Sequence, residues 1–304
     1  MTALAATVGE PISSVLVPTD FSGGAEHALR RARLLPLGEA ATIRVVHVLP
    51  SDLPGKMRAD VEERANQALD DLVARSRAEG IGSGTEWIAE VLWGAPFVEI
   101  IRHARSVRAQ LIVLGRHGQR PIRDRFIGST AERVVLTGDV PVLVVNNPPE
   151  DVYWSPLVAT DLGDASWATF DMALRLLGTA VDRVHVVHVF HVPFEGLIAP
   201  PLSINRESGH RSFYRERAVA ALETFLEARR DPGIHWDTAV VPGDARSVIL
   251  REVRRRRADL LVVGTHSRSG VAHALIGSVA ERVISTAICD VLVVRPPRFS
   301  FRLP

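Results

Sequence analysis

The sequence predicts an α/β protein made of two tandem five-stranded parallel-sheet sandwiches with helices on both faces. Three observations predict it. The chain has 304 residues, close to two domains of about 150 each. Its segments recur in the same order in the second half, which marks an internal repeat. Within each copy, short runs of Val, Ile and Leu alternate with longer amphipathic stretches, the pattern of a parallel sheet covered on both sides.

The repeat is explicit. Ser14-Val15-Leu16-Val17-Pro18-Thr19-Asp20 returns 141 residues later as Ser155-Pro156-Leu157-Val158-Ala159-Thr160-Asp161. Arg44-Val45-Val46-His47-Val48 returns as His185-Val186-Val187-His188-Val189. Beyond these the spacing grows to 149 residues, and Leu111-Ile112-Val113-Leu114-Gly115 matches Leu260-Leu261-Val262-Val263-Gly264. The eight extra residues of copy two are expected in the loop 190–210. A boundary near Pro148-Pro149 divides the chain into domains 1–147 and 148–304.

In copy one the first strand is expected at 14–18 and the first helix at 23–36. The second strand follows at 42–48, the second helix at 58–79 and the third strand at 86–92. The third helix at 96–108 leads to the fourth strand at 110–115, the helix at 129–137 and the last strand at 141–146. In such sheets ligands bind beyond the carboxyl ends of strands, where the strand order reverses. Asp20 and the Gly115 loop lie at the ends of strands one and four.

Composition removes several chemistries. Lys56 is the sole lysine and Pro50 stands six residues before it, so no P-loop can form. It also lies in a polar Pro-Gly turn, a poor setting for Schiff-base chemistry. Cys289 is the sole cysteine, which excludes intrachain disulfides, CxxC redox chemistry and thiolate zinc clusters. The net charge of +1 gives no case for nucleic acid or a membrane surface. Without a basic start or a long apolar run, a cytoplasmic location is expected.

The strongest constellation is Gly115-Arg116-His117-Gly118, nine residues, then Gly128-Ser129. It joins the end of a buried strand to the start of a helix. Glycine permits positive φ and close backbone approach, and a helix N-terminus offers free N–H groups to phosphate oxygens. Arg116, Arg120, Arg123 and Arg125 add positive charge. Ser129 to Glu132 and Ser278 to Glu281 also read as capping boxes, which start helices without any ligand.

The Pro18-Thr19-Asp20-Phe21-Ser22 opening, the Val46-His47-Val48 strand and the Gly-x2-Gly-x9-Gly-Ser motif resemble the universal stress protein family. The resemblance spans nearly the whole chain and implies a Rossmann-like fold, related to the adenine-nucleotide alpha-hydrolases. It implies ATP as ligand, with Mg2+ or Mn2+ held by phosphates and water rather than a protein cage. Asp20 would meet the ribose and adenine side, the Val48 backbone the adenine edge, and Pro18 and Thr19 would line the pocket. Gly115, Arg116, Gly118, Gly128, Ser129 and Thr130 would hold phosphates. In copy two the matching set is Thr160, Asp161, Val189, Gly264, Thr265, Ser267, Gly277, Ser278 and Val279. There Ser267 replaces the second glycine and Ala159 replaces Pro18, so both sites are expected to bind, the first more tightly.

Ser22-Gly23-Gly24-Ala25-Glu26 imitates the Ser-Gly-Gly-x-Asp-Ser loop of ATP pyrophosphatases. Its Asp-Ser half is missing, so Ser22 is expected to cap a helix. His47 and His188 read as packed core histidines, and Arg254 to Arg257 as a solvated helix end that favours the dipole. Cys289 reads as a small buried residue, and 192–202 as a lid or partner-contact loop. The expected function is nucleotide-dependent stress regulation with slow or no hydrolysis, since no general base accompanies the glycine loop. The alternative is a nucleotide-free interaction scaffold that joins its halves through strands 140–145 and 289–294. A protein partner is expected without a sequence signature, and pairing of two tandem chains stays open.

Overall fold

The computed structural model of the chain describes residues 9–78, 84–116, 128–193, 204–228, 233–265 and 277–296. In the first half run β1 (Ile12–Pro18), α1 (Gly23–Arg33), β2 (Leu37–Leu49), α2 (Gly55–Ala78), β3 (Glu86–Trp93), α3 (Pro96–Ser106), β4 (Leu111–Gly115), α4 (Ser129–Thr137) and β5 (Val142–Val145). The second half repeats the order as β6 (Pro156–Thr160), α5 (Ser166–Leu177), β7 (Arg183–Phe190), α6 (Ile204–Glu227), β8 (His235–Pro242), α7 (Ala245–Arg256), β9 (Leu260–Gly264), α8 (Ser278–Thr286) and β10 (Asp290–Val294). α1 stops at Arg33, short of the expected 36. Pro36 disfavours helical backbone at Leu35, and β2 begins immediately after it, at Leu37.

All ten strands form one sheet in the order β3-β2-β1-β4-β5-β10-β9-β6-β7-β8. Strands within each half are parallel, and β1 pairs with both β2 and β4. The halves meet where β5 and β10 pair antiparallel, with Val144 opposite Val291 and Val142 opposite Val293. Strand residues alternate between two apolar layers. Val15 and Val17 pack with α1, α2, α5 and α6 residues such as Leu29, Leu69, Phe170 and Leu222. Leu16 packs on the opposite side with Ile101, Val134, Ile249 and Val283. A fully buried leucine of this kind contributes about 1.5–3 kcal/mol relative to exposure.

Polar groups tie the halves together. Asp290, 3% exposed, accepts from Arg31 Nε at 3.2 Å, from Tyr153 Oη at 2.7 Å and from the Asn146 N–H at 2.9 Å. Arg31 also lies over the Tyr153 ring and donates to the Asp151 carbonyl at 2.7 Å. Arg295 donates to the Val135 and Leu136 carbonyls at the end of α4. Buried charges are stable only when paired in this way.

Two smaller expectations change. The arginine run is not wholly solvated: Arg256 is buried against Asp237 and Glu252. The capping boxes do not form, because the N-caps of α4 and α8 are Gly128 and Gly277 and neither has a side-chain cap bond. Ser129 and Ser278 stand one position inside the helix, so their hydroxyls are past the capping position.

Candidate functional site

Each half turns from its first strand into its first helix through the same strained loop. Thr19 Oγ1 accepts from the Phe21 N–H and Thr160 Oγ1 from the Leu162 N–H, both at 3.0 Å. Phe21 and Leu162 have φ of 61° and 60°, a conformation that costs a side-chain-bearing residue about 1–3 kcal/mol and persists only when neighbours enforce it. The repeated histidines are among those neighbours. His47 Nδ1–H donates to the Thr19 carbonyl at 2.8 Å, and His188 Nδ1–H to the Thr160 carbonyl at 3.0 Å. The aspartates close the turns: Asp20 Oδ1 accepts from the Ser22 N–H, and Asp161 Oδ1 from the Gly163 N–H and the Ser166 hydroxyl.

Beyond this point the halves diverge. In the second half a cavity of about 200 Å³ opens over the strand ends. Thr160, Asp161, Val189, Gly264, Thr265, Gly277, Ser278 and Val279 all line it. These are all the copy-two residues singled out from sequence except Ser267, which lies outside the described residues. One wall is apolar, formed by Val187, Val189 and Ile249. At another side Gly277, 2.9 Å from the Thr265 carbonyl through its N–H, begins α8. With no side-chain cap, the first N–H groups of that helix present positive partial charge to the cavity. The acidic group at its edge is Asp161.

In the first half, Pro18, Thr19, Asp20, Val48, Gly115, Gly128, Ser129 and Thr130 occupy the corresponding positions, while Gly118 lies outside the described residues. Here the start of α1 is packed onto the end of β4. A Cβ added to Gly115 would sit 2.2 Å from the Gly24 carbonyl oxygen and 2.9 Å from the Ala25 nitrogen. At Gly264 the nearest atom would be the Thr169 hydroxyl, at 3.0 Å. The cause lies in the local sequence. Ser22 caps α1 by accepting from the Ala25 N–H, so the helix begins at Gly23. Gly163-Asp164-Ala165 does not supply that cap, and α5 begins only at Ser166. Close backbone approach, rather than positive φ, is therefore what Gly115 provides; the N-cap glycines Gly128 and Gly277 also have negative φ.

Arg116 makes a contact that the sequence did not suggest. Its guanidinium crosses to the other half and donates to the Ser285 and Ala287 carbonyls at the end of α8. Burial pulls its pKa below the ordinary guanidinium value. Orphan carbonyls at a helix C-terminus are natural partners for an arginine. Arg120, Arg123 and Arg125 lie outside the described residues, as does most of the 192–202 loop.

Sequence reasoning missed Ala165, Ser166, Thr169, Ala245 and Ile249 in the cavity wall. A signal was present for two of them. Ser166 and Thr169 carry hydroxyls where the first copy has Ala25 and Ala28.

Comparison with known proteins agrees with the architecture. The universal stress protein family pattern matches the chain twice, over residues 11–146 and 157–295. A universal stress protein of Mycolicibacterium smegmatis is 28% identical over 301 residues, covering 93% of this chain and 97% of its own. Universal stress protein MJ0531 of Methanocaldococcus jannaschii is 31% identical over 150 residues, 49% of this chain and 86% of its own. Among solved structures, a universal stress protein from Archaeoglobus fulgidus covers 93% of this chain and 98% of its own, with a TM-score of 0.66 and 20% identity. With two matched copies joined in one sheet, the chain is a tandem member of the universal stress protein family.

Proposed function

We propose that the chain is a nucleotide-binding regulator that holds one adenine nucleotide, ATP, in the cavity of its second half. The observation that carries this reading is the cavity, where an apolar wall faces an uncapped helix start across a glycine-ended strand. A flat base suits the wall formed by Val187, Val189 and Ile249. Phosphate oxygens suit the N–H groups at Gly277, Ser278 and Val279, since a helix start favours anions. Asp161 stands beside the turn where a ribose hydroxyl would be recognised. The cavity is smaller than the roughly 300–1,000 Å³ that encloses whole drug-sized ligands, so it would cover only part of the nucleotide.

The described lining holds no lysine or arginine and one carboxylate. Mg2+ or Mn2+ would therefore be carried by phosphates and water, and hydrolysis is expected to be slow or absent. In this reading the first half, with Gly24 packed onto Gly115, is the structural partner and binds more weakly than the sequence suggested. β5 and β10 pair within the chain, as the scaffold reading expected of the strands that join its halves, and the nucleotide reading accommodates that pairing equally.

Titrating ATP by calorimetry tests the proposal. One site per chain is expected, weakened strongly by Gly264→Val and unaffected by Ser129→Ala. No heat and no retained nucleotide at millimolar ATP would return the chain to the scaffold reading.

A further inference from the structure

We infer that Thr169, on α5, is a ligand-contacting residue whose hydroxyl donates to a phosphate oxygen and so helps select phosphorylated ligands. This rests on the nucleotide reading of the second-half cavity. Thr169 is 2% exposed, yet it lines that cavity. Its Oγ1 is directed across the end of β9, 3.0 Å from where a Gly264 side chain would begin. No group of the described residues pairs with it, whereas its neighbour Ser166 is engaged with Asp161.

With the rest of its side chain packed away and its hydroxyl facing the cavity, Thr169 has a donor free for a ligand atom that enters there. The choice of atom follows from position. Gly264 and Thr265 form the end of the cavity that closes on Gly277 and the α8 N-terminus, the anion-favouring end. The base-sized apolar wall lies at Val187, Val189 and Ile249, on β7 and α7. The Ser166 hydroxyl is spent on Asp161 Oδ1, which leaves Thr169 as the α5 hydroxyl that can donate beside Gly264. The first half reinforces the assignment. Its counterpart, Ala28, has no hydroxyl, and there Gly24 rather than open space meets the end of β4.

Calorimetric titration of the full chain with ATP and, separately, adenosine tests the inference in three proteins: wild type, Thr169→Val and Thr169→Ser. Valine keeps the shape and removes the donor; serine restores it. ATP is expected to bind Thr169→Val about tenfold more weakly, the scale of one hydrogen bond to a charged group. Thr169→Ser is expected to recover most of that loss, and adenosine to bind all three alike. Equal ATP affinity in wild type and Thr169→Val, or equal losses for ATP and adenosine, would overturn the phosphate contact while leaving the nucleotide site intact. Failure of wild type to bind either compound would overturn the underlying reading instead. Thermal unfolding of each variant separates misfolding from lost contact, and Thr169→Ala, which also removes the donor, carries the test if valine disturbs α5.

Discussion

Substituting alanine at the two matched glycines, Gly115→Ala and Gly264→Ala, measures how differently the repeats have closed. At Gly115 the new methyl would lie 2.2 Å from the Gly24 carbonyl oxygen, closer than real Cβ contacts allow. Even a 3.0 Å contact requires the start of α1 to retreat by about 0.8 Å, and moving a helix off a strand end is an overpacking change of about 1–3 kcal/mol. For a domain of this size that corresponds to a fall in Tm of roughly 2–12 °C. At Gly264 the methyl meets a hydroxyl at 3.0 Å beside an open cavity. A small rotation of Thr169 relieves it, so the cost is below about 1 kcal/mol. Both substitutions remove the same backbone freedom from the unfolded chain, so their difference isolates the native contact. Calorimetry should show Gly115→Ala clearly destabilised with ATP affinity unchanged, and Gly264→Ala near wild type in Tm with ATP bound several-fold more weakly. Equal Tm values for the two variants would refute the argument that Gly24 is packed tightly onto Gly115.

Other consequences follow from side chains away from the cavity. Arg116→Ala leaves the Ser285 and Ala287 carbonyls without their arginine and should cost about 1–2 kcal/mol, seen in urea melts, with the ATP Kd unchanged; a tenfold rise in Kd at constant stability would restore Arg116 to the phosphates. Burial pushes the Cys289 thiol up to about 12, and nucleophilic attack requires thiolate. Ellman's reagent at pH 8 should therefore leave the native protein unmodified and titrate one thiol after unfolding. The Arg256 guanidinium, hydrogen-bonded to Asp237, holds that carboxyl below its ordinary value. A depressed folded pKa contributes stability above the unfolded pKa near 3.9, lost as pH falls through the folded value. Asp237→Asn should thus cost about 1 kcal/mol at pH 7, allowing for solvent screening of a part-exposed carboxylate. The gap to wild type should begin to narrow as pH falls below about 4, and a gap independent of pH would contradict the pairing.

Much of this was legible in the residues. The paired Val15-Leu16-Val17 and Leu157-Val158 strands declare their two-sided burial, because alternate side chains must enter opposite layers. Thr160, Asp161, Gly264 and Gly277 could be placed at one site because strand ends and the loops after them stay together in any parallel sheet of this order. Ser22 was readable as a cap because capping is local, decided within three residues. The capping boxes at Ser129 and Ser278 misled for the same reason: pattern alone does not say whether the cap is the serine or the glycine before it.

The sequence by itself determined the repeat, the parallel sheets, the absence of a P-loop and the set of residues at each strand-end loop, because these follow from short-range periodicity and residue chemistry. Only the tertiary structure decided that the start of α1 packs onto Gly115 while a cavity lies beside Gly264. That packing depends on Gly24 and Gly115 meeting across ninety-one residues of chain, a distance set by where α1 begins. It also decided that the Arg116 guanidinium serves the end of α8, and that Thr169 reaches the cavity floor. Long side chains and through-space gaps have no period in the sequence; they are fixed when helices settle on a completed sheet.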